Sequence, residues 1–129
     1  MEAVLLPVGA DWYALDVQSV REVVAQPVVT AVPAAPQALL GLFNLRGEIM
    51  PLFETATLLG LRPLPLGPFA AIVQTVMGPA GLSLSDVPES ANLEVTVPSD
   101  VEVGIATYAL GARLATLVDT DQLFGPSGG

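Results

Sequence analysis

The sequence of 129 residues contains no cysteine, no histidine and no lysine. Without cysteine there is no disulfide, no thiolate nucleophile and no zinc–thiolate site. Without histidine or lysine there is no imidazole base and no phosphate-loop lysine. Positive charge is confined to Arg21, Arg46, Arg62 and Arg113 against 13 acidic residues, a net charge of −9. Such a chain repels nucleic-acid phosphates and anionic membranes, so neither is expected as a partner. Charged residues are scarce at 13%, while 52% are hydrophobic, the reverse of a disordered composition. The length fits one compact unit, or two very small ones sharing a core. What remains is the composition of a binding module, with no cofactor and no enzyme chemistry expected.

Two long stretches carry no charge, 23–45 and 63–85. Pro27, Pro33 and Pro36 interrupt the first; Pro63, Pro65, Gly67, Pro68, Gly78, Pro79 and Gly81 interrupt the second. Breakers this dense would leave backbone groups that lipid cannot satisfy. The first residues, Met1-Glu2-Ala3, lack the basic region of an export signal. The expectation is a soluble, cytoplasmic protein without direct membrane insertion.

Short β-rich runs, broken by Gly and Pro, predict an all-β fold. Ala3 to Val8 and Trp12 to Val17 flank the turn composition Gly9-Ala10-Asp11. A short segment at 20–24 follows. Val28 to Val32 reads as a strand, and Gln37 to Leu40 as one helical turn. Leu42 to Leu45 and Ile49 to Phe53 pair as a hairpin across Arg46-Gly47-Glu48. Thr55 to Leu59 reads as a short helix ended by Gly60.

The second half repeats this plan. Leu52-Phe53-Glu54-Thr55-Ala56-Thr57-Leu58-Leu59-Gly60 falls on Leu117-Val118-Asp119-Thr120-Asp121-Gln122-Leu123-Phe124-Gly125, with Leu, Thr, Leu and Gly identical. Upstream, Gly41-Leu42 is matched to Gly104-Ile105. Leu15, Val17, Val20 and Glu22 are matched to Leu82, Leu84, Val87 and Glu89. Each unit is too short for a large sandwich, so each is expected to be a small closed barrel.

Few residues could carry chemistry. Asp119 and Asp121 could share a metal, but they read more simply as a strand end and an acidic first helical turn. Ser83 and Ser85 have no base partner, and Gly78 to Gly81 is a turn. Glu22, Glu48 and Glu54 are expected to be solvated or paired with arginine. Arg46, at a tight turn after 23 uncharged residues, could pair internally with Glu22 or Glu48, or stand exposed as a partner anchor. Its five donors allow both. The apolar excess in so small a fold points to an exposed apolar patch and a protein partner.

These motifs together resemble the CheW-like domain, found in chemotaxis coupling adaptors and in the regulatory part of CheA-type histidine kinases. The stretch from Gly41 through Asn44-Leu45-Arg46-Gly47 to Glu54 is similar to the family's "N-L-R-G-x-I-x-P" segment. Tyr13 to Val24 resembles its "V-x-E-(I/V)" segment, Val32 to Pro36 its "V-P-x-a-P" connection, and Leu117-Val118-Asp119 with Leu123-Phe124 its closing element. The resemblance covers residues 3–125. It departs at Leu84-Ser85-Asp86-Val87, at Glu54 where Asp is usual, and in the short stretch 88–103. It implies a single CheW-like domain over 1–129, all-β, with two small five-stranded SH3-like barrels around a shared hydrophobic core and short helical turns. Subdomain 1 is expected over 15–66 plus a crossing terminal strand, and subdomain 2 over 67–125. The resemblance further implies a non-catalytic adaptor joining methyl-accepting chemoreceptor tips to a CheA-type kinase regulatory domain. The alternative is a divergent scaffold in a non-chemotactic or pilus-motility system. Partner-binding residues carried over by motif are Val20, Glu22, Val23, Gly41, Leu45, Arg46 and Gly47.

Overall fold

The computed structural model describes residues 1–93, 96, 97, 104–110 and 113–124. The strands in chain order are β1 (Glu2–Val8), β2 (Asp11–Asp16), β3 (Val20–Ala25), β4 (Leu39–Leu45), β5 (Glu48–Phe53), β6 (Phe69–Thr75), β7 (Gly78–Leu84), β8 (Glu89–Asn92), β9 (Thr96–Val97), β10 (Gly104–Leu110) and β11 (Arg113–Val118). Two short helices, α1 (Thr55–Leu58) and α2 (Thr120–Leu123), follow β5 and β11. One sheet runs β3-β6-β7-β5-β4 and the other β8-β1-β2-β11-β10-β9. The chain is thus all-β, built as two SH3-like barrels. The edges of the first sheet come back together after β3, where Thr30 and Leu42 exchange two backbone hydrogen bonds of 2.8 Å.

The internal repeat is visible in the pairing. Ala3 opposite Asp16 corresponds to Ala70 opposite Ser83, and parallel Leu117–Ala14 corresponds to parallel Leu52–Gly81. One detail of the sequence alignment shifts. Gly41 lies opposite Leu52 and Ala106 lies opposite Leu117, so Gly41 corresponds to Ala106, not Gly104. A β-bulge precedes both positions and absorbs the difference.

The sheets place the seams at 17–19 and 85–88 rather than near residue 66. Hairpin β6–β7 completes the sheet of β3, β4 and β5, while β1–β2 completes the other. Barrel 1 therefore occupies residues 20–84 without interruption. Barrel 2 joins the first hairpin to strands β8 to β11. The second repeat supplies its hairpin to the first barrel, and the first repeat to the second.

Among the described residues three apolar clusters follow from this arrangement. Phe43, Met50, Leu52, Ala70 and Ile72 fill barrel 1. Ala3, Leu5, Ala14, Leu93, Ala115 and Leu117 fill barrel 2. The largest cluster lies between the barrels and draws on Leu6, Tyr13 and Leu15 from one hairpin, Val73, Leu82 and Leu84 from the other, and Ala56 and Leu123 from the two helices. Alternate side chains of each hairpin thus serve a barrel interior on one face and the shared core on the other.

Two local expectations change. Val28 to Val32 is not a strand; only Thr30 pairs, and Val28 stands 86% exposed. Pro27 and Pro33 bound the segment, and proline cannot donate to a ladder. Gln37 and Ala38 form a turn, and Leu39 and Leu40 already belong to β4.

Candidate functional site

The turn between β4 and β5 is built by its sequence. Arg46 and Gly47 occupy the two central positions with φ of +50° and +90°, the conformation a two-residue hairpin needs to match strand twist. The Asn44 side chain accepts a hydrogen bond from the Gly47 N–H at 2.8 Å and closes the loop. Leu45 turns inward against the barrel 1 core. Arg46 turns outward, its side chain 65% exposed.

Arg46 donates to Glu22 on β3 at 2.5 Å. Arg21 donates to Glu48 at 3.0 Å and lies 3.9 Å from Glu22. The four side chains bind β3 to the β4–β5 hairpin across the mouth of barrel 1. The hydrogen bond from Arg46 holds the Glu22 carboxyl below the ordinary glutamate range, helped by the charges of Arg46 and Arg21 against desolvation. The same hydrogen bond raises Arg46 above its ordinary range. Arg46 is thus internally paired while its side chain stays exposed.

The carried-over residues separate into two groups. Glu22, Arg46 and Gly47 meet at the surface, with Val23 exposed on the neighbouring position of β3. Gly41, Leu45 and Val20 are structural in their contacts. A Cβ on Gly41 would lie 2.3 Å from the Thr30 carbonyl oxygen, so the close pairing of that segment requires glycine. Val20 packs against the inter-barrel core. Glu54 corrects the expectation of a solvated or paired carboxylate. It is 5% exposed and caps α1, accepting from the N–H groups of Ala56 and Thr57 at 2.9 Å and from the Thr57 hydroxyl. Asp119 caps α2 in the equivalent way, accepting from the Asp121 N–H at 2.8 Å.

The sequence reading did not place Arg21 in this cluster, nor the apolar face beside it. Leu42 lies opposite Pro51 and Asn44 opposite Ile49, so all four share the outer side of β4–β5. Ile49 is 60% exposed. The alternation with buried Phe43, Met50 and Leu52 was the available signal. Around the edge of the barrel an apolar groove of about 300 Å³ runs between Pro51, Phe53, Leu58, Met77, Pro79 and Phe124. Phe53 from barrel 1 and Phe124 from the end of α2 meet edge to face with centroids 5.1 Å apart, so the groove follows the seam between barrels.

Fold and site together define a double SH3-like barrel that presents an ion-paired turn, an apolar strand face and an inter-barrel groove. The family model for the CheW-like domain matches residues 2–125, and the chain belongs to that family. It is similar to the probable chemotaxis protein CheW of Rhizobium etli, at 28% identity over 95% of this chain and 86% of the relative. It is similar to the chemotaxis protein CheW of Rhizobium meliloti at 27% identity with the same coverage. The crystal structure of the scaffolding protein TtCheW from Thermoanaerobacter tengcongensis superposes with a TM-score of 0.84, covering 99% of this chain and 90% of that one at 22% identity. No helix among the described residues is long and apolar enough to cross a membrane.

Proposed function

We propose that the protein is a non-catalytic cytoplasmic adaptor that couples methyl-accepting chemoreceptors to a CheA-type histidine kinase by protein–protein contacts. The observation that carries this reading is the Asn44-Leu45-Arg46-Gly47 turn. It fixes an exposed, pre-oriented guanidinium beside the apolar face of Leu42, Ile49 and Pro51. An arginine next to apolar surface is a recurrent anchor in interfaces. Glu22, Val23, Arg46 and Gly47 form the contact, while Val20, Gly41 and Leu45 set its shape. The inter-barrel groove suits one amphipathic helix of a receptor tip, which would lay its apolar stripe against Phe53 and Phe124. The absence of catalysis is supported by the use of Glu54 and Asp119 as helix caps, which leaves these carboxylates engaged with backbone donors.

The test is binding of the purified protein to a receptor cytoplasmic tip and to a kinase regulatory domain from the same organism. Binding to both is expected. Arg46→Glu should weaken at least one of them about tenfold, equivalent to 1.4 kcal/mol, with an unchanged circular-dichroism spectrum. Binding to neither fragment by a folded protein would overturn the adaptor reading. Unchanged affinity of the Arg46 variant for both would remove that residue from the interface.

A further inference from the structure

With no cysteine in the chain, its sulfur lies in three methionines. They occupy different settings. Met50 is buried inside barrel 1. Met1 is 44% exposed beside β8, where its amino group donates to the Asn92 side chain at 2.9 Å. Met77 is 92% exposed at the tip of the β6–β7 hairpin, the most open large apolar side chain among the described residues.

The tip itself is well held. The Thr75 hydroxyl accepts from the Met77 N–H at 3.1 Å and donates to the Gly78 carbonyl at 2.7 Å. Nothing in that turn calls for apolar side chains, since two-residue hairpin turns favour Gly, Asn and Asp. The equivalent turn of the first repeat, Gly9-Ala10, is small. Leu64 lies over it, with Cδ1 3.4 Å from where a Cβ on Gly9 would stand. Val76-Met77 is apolar and open instead. Met77 forms one lip of the inter-barrel groove, together with Phe53, Pro79 and Phe124. A flexible thioether at a lip adapts readily to an apolar partner. The same exposure makes it the sulfur most accessible to an oxidant.

We propose that Met77 is an oxidation site that gates docking in the inter-barrel groove. This rests on the reading of that groove as the seat of a receptor helix. A hydroperoxide transfers one oxygen to the Met77 sulfur. Its O–O bond breaks as the S–O bond forms; the thioether is oxidised to a sulfoxide, and hydrogen peroxide is reduced to water. The sulfoxide sets a strong dipole on the lip that the apolar stripe would cover, and burying it without a donor is unfavourable. Two thiols of a separate sulfoxide reductase restore the thioether, becoming a disulfide and releasing the oxygen as water. Met1 does not line the groove and Met50 is enclosed by the barrel, so the effect belongs to Met77.

The test treats the full chain with hydrogen peroxide and follows each methionine by peptide mass spectrometry. Met77 should gain an oxygen first, Met1 more slowly and Met50 last. A saturating receptor cytoplasmic tip should slow the reaction at Met77. The oxidised protein, with an unchanged circular-dichroism spectrum, should bind that tip about tenfold more weakly, and reductase treatment should restore the affinity. Met77→Leu should bind like the untreated protein and keep its affinity after peroxide. Slower oxidation of Met77 than of Met1 would overturn the proposal, as would a peroxide-sensitive Met77→Leu variant. Full affinity of the sulfoxide form would overturn the gating alone. Failure of the untreated protein to bind the receptor tip would overturn the adaptor reading and the gating together.

Discussion

Arg46 sits in a backbone region that L-residues avoid, at φ +50°. Such positions cost of order 1–3 kcal/mol and persist only where the surroundings determine them. Here the Asn44 clamp, the Gly47 partner and the Glu22 hydrogen bond do so. The pair has a definite pH signature. Because the Glu22 carboxyl is lowered on folding, its contribution is present above the ordinary glutamate range and is lost as pH falls through the lowered value. Because Arg46 is raised, its side of the pair is lost only in strong alkali. Carbon-detected NMR of the carboxyl groups should find Glu22 titrating below the ordinary range, and Arg46→Ala should return it there. Gly41 makes a different demand. Gly41→Ala would drive a methyl into the Thr30 carbonyl and open the Thr30–Leu42 bridge. A loss of about 3 kcal/mol is expected from urea unfolding. The family motif made Arg46 and Gly41 legible as residues, but not their division into contact and scaffold. That division depends on Thr30, which is 11 positions before Gly41 in a segment without strand pairing of its own.

At the scale of the element, α1 and α2 are far too short to be stable by themselves. Each exists because a carboxylate receives its first free N–H groups and the next residues enter a core. For α1 the anchor is deeper: Glu54 uses both oxygens, and the buried Thr55 hydroxyl donates to the Ser83 carbonyl at 2.6 Å. Glu54→Ala should therefore cost about 2 kcal/mol, at the upper end for a cap, and Asp119→Ala about 1 kcal/mol. Urea midpoints at unchanged slope would check both. The β1–β2 and β4–β5 hairpins are legible because period-two patterns and turn residues are local signals, whereas Gly78 to Gly81, expected as a turn from its glycines and proline, forms the start of β7 opposite Ile72 to Thr75. The segment 28–32 is not legible in this way, because its valines have strand propensity but its flanking prolines deny it a ladder. The capping role of Glu54 was masked because a carboxylate beside a hairpin looks like any surface charge.

At the scale of the molecule, the central cluster takes side chains from both hairpins and both helices, so neither barrel keeps its apolar face without the other. Unfolding should be one transition. The sole tryptophan, Trp12, reports barrel 2, and amide signals from β4 and β5 report barrel 1. Their urea curves should coincide, and an earlier transition in either would show separable barrels. The repeat itself was readable from identities between residues 52–60 and 117–125. The placement of its hairpins was not, since strand pairing across 70 or more positions leaves no local trace in sequence.

That placement also fixes a timetable. Barrel 1 is continuous from residue 20 to residue 84, whereas β1 and β2 belong with strands that begin at residue 89. As the chain leaves the ribosome, these early strands have no sheet to join until the last third has been made. Ala3, Leu5 and Ala14, which face the interior of barrel 2, stay uncovered through that interval, at the stage when partly folded chains are most prone to associate. The hairpin synthesised first is the one whose sheet is finished last.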